Sequence, residues 1–319
     1  MDWHIKAFIQ KVLAVSRFGD KMNHHLITLN KNYHKNVVTY QSHEALRKFS
    51  YSKLDLSNNL VALEIGTGYS LVSAISLALV GFEKIITVDI TKDVTFSSFQ
   101  KQSKYLDEEI FVNSILTHSK FSQSELRSKI GRIRKVSSLA ELFELLNINY
   151  IAPYSFDDIE KVSAEFDYIT SQVVLEHVSP DILDTLFKKT KHWIDKDGYC
   201  VHTINFIDHF ANPGLFQDKS ISEFNFLKYS DKYWESWTGN SIAYTNRLSY
   251  LYYLELAEKY NFKIVDFLGE NYRDRVDLNP ALIHPDVIKK YSENPNRDSL
   301  TKYQRGTLIL KGGRDLLRE

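Results

Sequence analysis

Short apolar runs alternate with longer amphipathic segments along much of the chain. The runs are rich in β-branched and other apolar residues, as expected for strands buried on both faces of a sheet. They lie near residues 60–65, 85–88, 148–152, 166–170 and 199–204. Between the last two runs, Ser179-Pro180-Asp181 has the composition of a helix start. Strands that alternate with helices predict an α/β protein with a parallel, doubly wound sheet.

The chain begins with a segment of helical periodicity. Residues 2–18 place apolar side chains at the spacing of an amphipathic helix, namely Ile5, Phe8, Ile9, Val12 and Leu13. We expect residues 1–56 to form a helical cap packed over the rest of the protein; a helix on a membrane surface is the alternative. The pair His24-His25 suggests a metal site, but no cysteine or carboxylate cluster with ligand spacing accompanies it. No metal site is therefore predicted.

Residues 91–147 separate the second and third predicted strands. Their apolar positions have helical spacing, and Ser137 or Ser138 is suited to cap a helix. A structureless loop of this length is improbable in a compact domain. We predict a helical insertion that lines part of the binding pocket.

The most specific pattern lies in residues 60–89, at the junction between the first strand and the following helix. Gly66 and Gly68 allow the backbone to turn tightly and to approach a ligand, and the helix start after them offers free N–H groups. Asp89 ends the second strand, where its carboxylate is placed to accept hydrogen bonds from two ribose hydroxyls. The pattern predicts a site for a nucleoside cofactor.

Glu64 distinguishes between two classes of cofactor. Dinucleotide-binding turns read G-x-G-x-x-G around a pyrophosphate, whereas this chain has Leu71 at the third glycine position. The Glu64 carboxylate, two residues before the first glycine, would repel a diphosphate. S-adenosylmethionine has no phosphate, and its amino-acid end carries a sulfonium and an α-amino group. The residues therefore favour S-adenosylmethionine over NAD.

The sequence E-x-G-x-G from Glu64 to Gly68, followed by Asp89, resembles the cofactor signature of the class I S-adenosylmethionine-dependent methyltransferases. The stretch FDYITSQVVLEHV and the Asp-Gly turn before the fifth strand resemble a later part of the same family. Segments IDHF, NFLKYS and TNRLSY resemble, less specifically, a bacterial subgroup that methylates cell-surface polysaccharides or small metabolites.

The resemblance implies a Rossmann-like, seven-stranded sheet in the order 3-2-1-4-5-7-6. Lys263–Phe267 would be strand six and Gly306–Lys311 an antiparallel strand seven. One methyltransferase domain would cover residues 1–319, with its cofactor-binding core in residues 57–90 and 148–205. Residues 206–319 would line the acceptor site and supply the last two strands.

The resemblance also implies a set of cofactor contacts. These are Glu64, Gly66, Thr67, Gly68, Tyr69, Asp89, Ser155, Ser171 and Gln172. Ser155 departs from the family pattern, because many members have an aspartate there, directed towards the adenine. The cofactor implied is S-adenosyl-L-methionine.

Methyl transfer to oxygen or nitrogen requires an aligned acceptor and the loss of a proton. Two loops at the carboxyl ends of strands carry candidate bases: His177 after strand four, and Asp208 with His209 after strand five. We predict a histidine base because imidazole titrates near neutrality, and Asp208 is placed to orient His209. The loop sequence SQVV differs from the Asn/Asp-Pro-Pro-aromatic motif of enzymes that methylate exocyclic amines in DNA.

Residues 224–253 are dense in aromatic side chains. Such rings stack on sugars or flat acceptors, although about half are expected to belong to the core. We predict Trp234, Asn246 and Arg247 as acceptor contacts, with Arg247 holding a carboxylate or phosphate. A structural ion pair is the alternative for Arg247.

Composition narrows the class of partner. Lys+Arg and Asp+Glu each number 40, so no net charge attracts nucleic acid. Cys200 is the only cysteine, which excludes an intrachain disulfide and fits a reducing cytoplasm. No apolar stretch reaches the roughly 20 residues that span a bilayer, and the start of the chain lacks a signal-peptide cleavage pattern.

We therefore expect a cytoplasmic enzyme that methylates oxygen on a small-molecule or glycan acceptor. Its oligomeric state is open. An NAD-dependent Rossmann oxidoreductase and a non-catalytic binding protein with the methyltransferase fold are the alternatives.

Overall fold

A computed structural model describes residues 1–15, 28, 30–163, 165–212, 217–240, 242–272, 274 and 276–313. His24 and His25 lie outside the described residues. Within the described ranges, no helix has both the length and the apolar character needed to cross a bilayer.

Seven strands form one sheet in the order β3-β2-β1-β4-β5-β7-β6. They are Val61–Ile65 (β1), Lys84–Val88 (β2), Ile148–Ile151 (β3), Phe166–Gln172 (β4), Ile194–Asn205 (β5), Lys263–Glu270 (β6) and Arg305–Lys311 (β7). Strands β1 to β5 pair in parallel, and β7 runs antiparallel to both of its neighbours. The predicted fold class, strand order and antiparallel seventh strand are confirmed.

Strand β5 is longer than predicted. It begins at Ile194, before the Asp197-Gly198 turn that the sequence places ahead of it. Its pairing with β4 is irregular near that turn and becomes continuous from Tyr199 onwards. The predicted start therefore marks the regular part of the strand.

Helices connect the strands and cover the sheet. In chain order they are Trp3–Val15, Tyr33–Ser50, Val72–Val80, Phe96–Ser103, Glu109–Leu116, Gln123–Ile133, Leu139–Leu146, Phe156–Val162, Pro180–Trp193, Asp231–Thr238, Tyr250–Lys259 and Pro285–Lys290. Short 3-10 helices occur at Leu175–His177, Asn225–Lys228, Pro280–Leu282 and Arg297–Ser299. The insertion is helical, as predicted, and Ser138 caps its last helix by accepting a hydrogen bond from Glu141 N at 3.1 Å.

Two apolar clusters lie on opposite faces of the sheet, because successive side chains of a strand point in opposite directions. Leu63 and Ile169 belong to one cluster, and their neighbours Ala62 and Tyr168 belong to the other. The helices of the insertion pack into the second cluster, together with Tyr33–Ser50 and Val72–Val80.

The N-terminal helix Trp3–Val15 packs on a different face from the one predicted. The apolar stripe is exposed: Ile5, Phe8, Ile9 and Val12 expose between 44% and 60% of their surface. The packed face instead holds residues four apart, since Trp3 stacks on Trp234, Ala7 is fully buried and Lys11 bonds to Ser236 O. The expectation that the apolar stripe packs on the protein is wrong, because the Trp3 indole sets the rotation of the helix.

His202 makes a buried hydrogen bond in the centre of the sheet that gives a testable pH dependence. Its Nδ1 lies 2.9 Å from Ser171 Oγ on the neighbouring strand, and burial lowers the pKa of His202 to about 3. The unfolded chain keeps a histidine pKa near 6.5 and so binds more protons than the folded chain between the two values. The free energy of unfolding therefore falls as the pH drops below about 6.5, by about 1.4 kcal/mol per pH unit for this residue.

We expect this contribution to disappear in His202→Gln. Urea unfolding at pH 7 and pH 5 should show the wild type losing about 2 kcal/mol more than the variant between the two conditions. Other titrating groups are common to both proteins and cancel in this comparison. Equal losses in the two proteins would show that His202 does not couple folding to protons.

Candidate functional site

A cavity of about 1070 Å³ opens at the carboxyl ends of β1, β2 and β4. Its walls are formed by the glycine turn, the loops after β2 and β4, and the helix Tyr33–Ser50. Glu235, Gly239, Asn240 and Tyr244 also line it. Ligands of doubly wound sheets bind at this edge. The residues predicted from the sequence that line it are Glu64, Gly66, Thr67, Gly68, Asp89, Gln172 and His177. The structure thus brings the cofactor signature and one candidate base together.

The glycine turn is fixed against the end of β2. Gly66 and Gly68 have φ of +87° and +61°, in the region that favours glycine. Gly66 N donates to Val88 O at 2.8 Å, and Gly68 N donates to Asp89 Oδ2 at 2.7 Å. Asp89 therefore holds the turn in place and also lines the cavity.

The loop after β4 packs directly over this turn. Val173 has a φ of +56°, a strained conformation for a β-branched residue. Its N–H donates to Thr203 O at 2.8 Å, and Val174 covers the turn so closely that a Cβ on Gly66 would lie 2.3 Å from Val174 Cγ2. The absence of a side chain at Gly66 is what permits this contact.

Glu64 and Lys48 place opposite charges in the cavity wall. Glu64 is 5% exposed and accepts a hydrogen bond from Thr87 Oγ1 at 2.7 Å; burial raises its pKa, against the effect of its hydrogen bonds and of Lys48. Burial lowers the pKa of Lys48 to about 8, and Glu64 and Glu44 oppose that shift. Lys48 Nζ donates to Ser171 O at 2.9 Å.

Lys48 is a site residue that sequence reasoning missed. It lies on the helix Tyr33–Ser50, together with other residues of the cavity wall at helical spacing, including Gln41 and Glu44. A run of polar residues on one helix face usually indicates a solvated surface. The helical spacing of these residues was the only indication in the sequence. Whether that helix face lines a cavity or contacts solvent depends on how the helix packs on the sheet.

Gln172 joins the same helix to the sheet. Its Nε2 donates to Glu44 Oε2 and to Tyr40 OH, both at 3.0 Å. Glu44 also accepts a hydrogen bond from Arg47 at 2.7 Å, which, with the other nearby cations, lowers its pKa despite burial. The wall on this side of the cavity is a hydrogen-bonded polar network.

Glu176, His177 and His209 form a compact cluster beside the cavity. One ligand-capable atom of each residue lies within 4.8 Å of the others, and the two imidazole centroids are 5.0 Å apart. His177 Nδ1 lies 3.0 Å from Tyr244 O, and burial lowers its pKa. Burial, with help from the neighbouring His177, lowers the pKa of His209 to about 3.

Asp208 does not face His209 in the way predicted. Its carboxylate is fully buried and accepts hydrogen bonds from Phe210 N at 2.8 Å and Asn225 Nδ2 at 3.4 Å. Burial raises its pKa to about 7. Neither Asp208 nor His209 is among the described residues that line the cavity.

Three of the predicted cofactor contacts also lie outside the described wall: Tyr69, Ser155 and Ser171. Ser155 starts the helix Phe156–Val162, where its N–H and Oγ donate to Asp158 Oδ2 at 3.0 and 2.8 Å. Ser171 Oγ is engaged by His202, as described above. Ser171 nevertheless contributes its carbonyl oxygen to Lys48.

The predicted acceptor contacts have structural partners. Trp234 is 4% exposed and stacks on Trp3 at a centroid distance of 5.1 Å. Asn246 Nδ2 donates to Leu175 O at 2.7 Å and so supports the 3-10 turn that carries His177. Arg247 donates to the carbonyl oxygen of Phe226 at 2.7 Å and pairs with the Asp231 carboxylate, which is the structural ion pair held as its alternative.

One expectation about the pocket is wrong. None of residues 91–147, all of which are described, lines the cavity, because the apolar faces of those helices are used in the second core cluster. Ile182, on the helix Pro180–Trp193, is 52% exposed and lines the cavity. Apolar surface at this position is available to a ligand.

No protein-family model matches the chain, and no curated protein matches it. Among solved structures, it is similar to an S-adenosylmethionine-dependent methyltransferase from Archaeoglobus fulgidus, with 15% identity over 89% of this chain and 98% of that one, at a TM-score of 0.44. A second is such a methyltransferase from Mesorhizobium loti, with 12% identity over 84% and 96% of the two chains, at a TM-score of 0.41.

A third is phosphoethanolamine N-methyltransferase 2 of Haemonchus contortus in complex with S-adenosyl-L-methionine. It has 14% identity to this chain over 85% of it and 53% of that longer chain, at a TM-score of 0.40. At these identities and TM-scores, the likenesses assign neither an activity nor a substrate to this chain.

Proposed function

We propose that this protein is an S-adenosylmethionine-dependent methyltransferase that transfers the methyl group to an oxygen of a sugar, a polysaccharide precursor or another small metabolite. The observation that carries the proposal is that Glu64 and Lys48 both lie in the cavity wall near the glycine turn. An α-amino acid is zwitterionic, and a carboxylate with an ammonium at one wall complements both of its charges. NAD has no such group.

We place the adenosine half of the donor beside Asp89, at the end of β2. Asp89 would accept hydrogen bonds from the ribose hydroxyls, as the sequence predicts. Ile90 and Tyr154 also line the cavity, and Ile90 is 75% exposed. An exposed apolar side chain next to the ribose site suits the face of an adenine ring.

The acceptor would occupy the side of the cavity near His177. Asn205, Asn240 and Tyr244, which also line the cavity, provide neutral hydrogen-bonding groups, and Glu235 adds a carboxylate. Several neutral hydrogen-bonding groups together suit a hydroxylated acceptor. This composition supports the proposal of an oxygen acceptor.

His177 is the proposed base. When Nδ1–H donates to Tyr244 O, Nε2 keeps its lone pair and is free to take a proton. In the transfer, a bond forms between the acceptor oxygen and the methyl carbon, and the S–C bond breaks with its electron pair returning to sulfur. The acceptor proton passes to the imidazole. His209 and Asp208, also predicted to be catalytic, would act only behind His177 because neither lines the cavity.

Isothermal titration of the purified protein with S-adenosylmethionine and, separately, with NAD tests the donor. We expect one equivalent of S-adenosylmethionine to bind and NAD to show no saturable binding. The reverse result would establish the dinucleotide alternative and refute the proposal.

A screen of sugars, sugar nucleotides and small hydroxylated metabolites with methyl-labelled S-adenosylmethionine tests the reaction. We expect label to appear on at least one hydroxylated acceptor. Binding of the donor without transfer to any acceptor would favour the non-catalytic alternative.

A further inference from the structure

The cluster of Glu176, His177 and His209 has the donor set of a transition-metal site. Two imidazoles and one carboxylate are the ligands that divalent ions such as Zn²⁺ and Fe²⁺ take when they keep open positions for a substrate. The three donor atoms lie within 4.8 Å of one another. Ligand atoms of one tetrahedral zinc ion lie roughly 3.4 Å apart. Side-chain rotations that move the donor atoms by about 1 Å would therefore bring them to coordination distance.

Glu176 supplies an independent observation. It is 3% exposed, and neither of its carboxylate oxygens makes a hydrogen bond of normal geometry with the described residues. The Asn205 N–H acts on this carboxyl group only outside normal hydrogen-bond geometry. A buried carboxyl group that is so poorly satisfied is costly, and such groups are usually paired or coordinate a metal. Here the only other ligand-capable side chains of its cluster are the two histidines.

The orientation of His177 fits the role of a ligand. Its Nδ1 lies 3.0 Å from Tyr244 O, an arrangement that fixes the tautomer and leaves the Nε2 lone pair available. Metal-binding histidines almost always donate their second ring N–H to a carbonyl or carboxylate in this way. Asn246 adds support by binding the carbonyl oxygens of Leu175 and Val178, on either side of the Glu176-His177 pair.

We propose that Glu176, His177 and His209 bind a divalent transition-metal ion at the edge of the cavity. His177 lines the cavity, so an ion that it holds would lie next to the space assigned to the acceptor. Resting on the proposed function, the ion would hold the acceptor oxygen and lower the pKa of its hydroxyl. In the metal-bound protein the acceptor proton would then leave to solvent, because metal binding occupies the Nε2 lone pair of His177. The role of His177 as base, proposed above, would apply to the metal-free protein only.

The test is titration of the chelator-treated full-length protein with Zn²⁺, and with Co²⁺ as a spectroscopic probe. We expect one equivalent of each ion to bind, with visible Co²⁺ bands that report nitrogen and oxygen ligands. Glu176→Gln and His209→Gln should each weaken Zn²⁺ binding by at least about 100-fold, since loss of a supporting residue alone costs roughly 10- to 100-fold.

His192→Gln is the matched control, because it removes an exposed imidazole on the helix Pro180–Trp193, outside the cluster. It should bind Zn²⁺ as the wild type does. Asp89→Ala should also keep its metal affinity, which separates this proposal from the donor assignment. Thermal melting verifies the fold, and Glu176→Gln preserves side-chain shape if His209→Gln proves unstable.

Absence of saturable binding by the wild type would overturn the proposal. So would equal affinity in the wild type and a folded Glu176→Gln variant, because the ion would then bind elsewhere. Loss of affinity in His192→Gln to the same degree would identify adventitious surface binding and would overturn it as well.

Discussion

Replacing Asp89 with alanine is expected to weaken S-adenosylmethionine binding by about 100-fold or more. The proposed role of this carboxylate is to accept two ribose hydrogen bonds, and hydrogen bonds to a charged group contribute roughly 1.5–3 kcal/mol each. It also accepts a hydrogen bond from Gly68 N at 2.7 Å, so its removal takes away one of the hydrogen bonds that hold the glycine turn. Calorimetric titration of wild type and variant measures the change in Kd.

Two further variants sharpen this experiment. Asp89→Asn keeps the side-chain shape and one acceptor oxygen, and its affinity should lie between those of the wild type and Asp89→Ala. Asp93→Ala removes a nearby carboxylate that is not among the described residues of the wall, and it should bind the donor normally. Unchanged affinity in a folded Asp89→Ala protein would contradict the assignment of this edge to a ribose.

The second large effect is expected from Gly66→Ala. The new Cβ would lie 2.3 Å from Val174 Cγ2, and the residue would have to keep a φ of +87°. Overpacking typically costs about 1–3 kcal/mol, and the strained loop after β4 would have to move to relieve it. That loop leads to His177, so we expect loss of donor binding and a lower melting temperature together.

Substitutions at two other glycines distinguish steric overlap from backbone strain as the cause of the Gly66→Ala effect. Gly68→Ala meets no atom within 4 Å but must keep a φ of +61°, so it tests backbone strain alone, at about 1–2 kcal/mol. Gly131→Ala lies in the helix Gln123–Ile133 in open space and should be neutral or slightly stabilising. If Gly66→Ala kept the donor affinity and melting temperature of the wild type, as expected for Gly131→Ala, the close packing of Val174 on the turn would not be needed for stability or donor binding.

The sequence was informative where the chemistry is local. The glycine turn, Glu64 and Asp89 lie within one strand-helix-strand unit, and the backbone of that unit alone places them at one edge of the sheet. The order of the strands came from resemblance to a family, and it is correct. These features depend little on how distant segments pack.

The roles of the other residues depend on tertiary packing, which cannot be predicted from a short sequence motif. Lys48 enters the cavity only because its helix docks on the sheet, and Ile182 faces the cavity rather than the core. The apolar stripe of the N-terminal helix predicted the wrong face because Trp3 fixes the rotation. Trp234 and Arg247 are residue types that often contact an acceptor. In the folded protein, however, Trp234 packs against Trp3 and Arg247 forms a structural ion pair with Asp231.

The position of Lys48 on a helix outside the sheet has an energetic consequence. If the amino-acid end of the donor binds Lys48, only the state with the helix Tyr33–Ser50 docked binds the donor fully. By mass action, the ligand then stabilises that docked state by RT ln(1 + [L]/Kd), about 2.7 kcal/mol at 100 times Kd. Donor binding would thus add to the free energy that keeps this helix on the sheet, and the cofactor would act as part of the framework that holds the protein together.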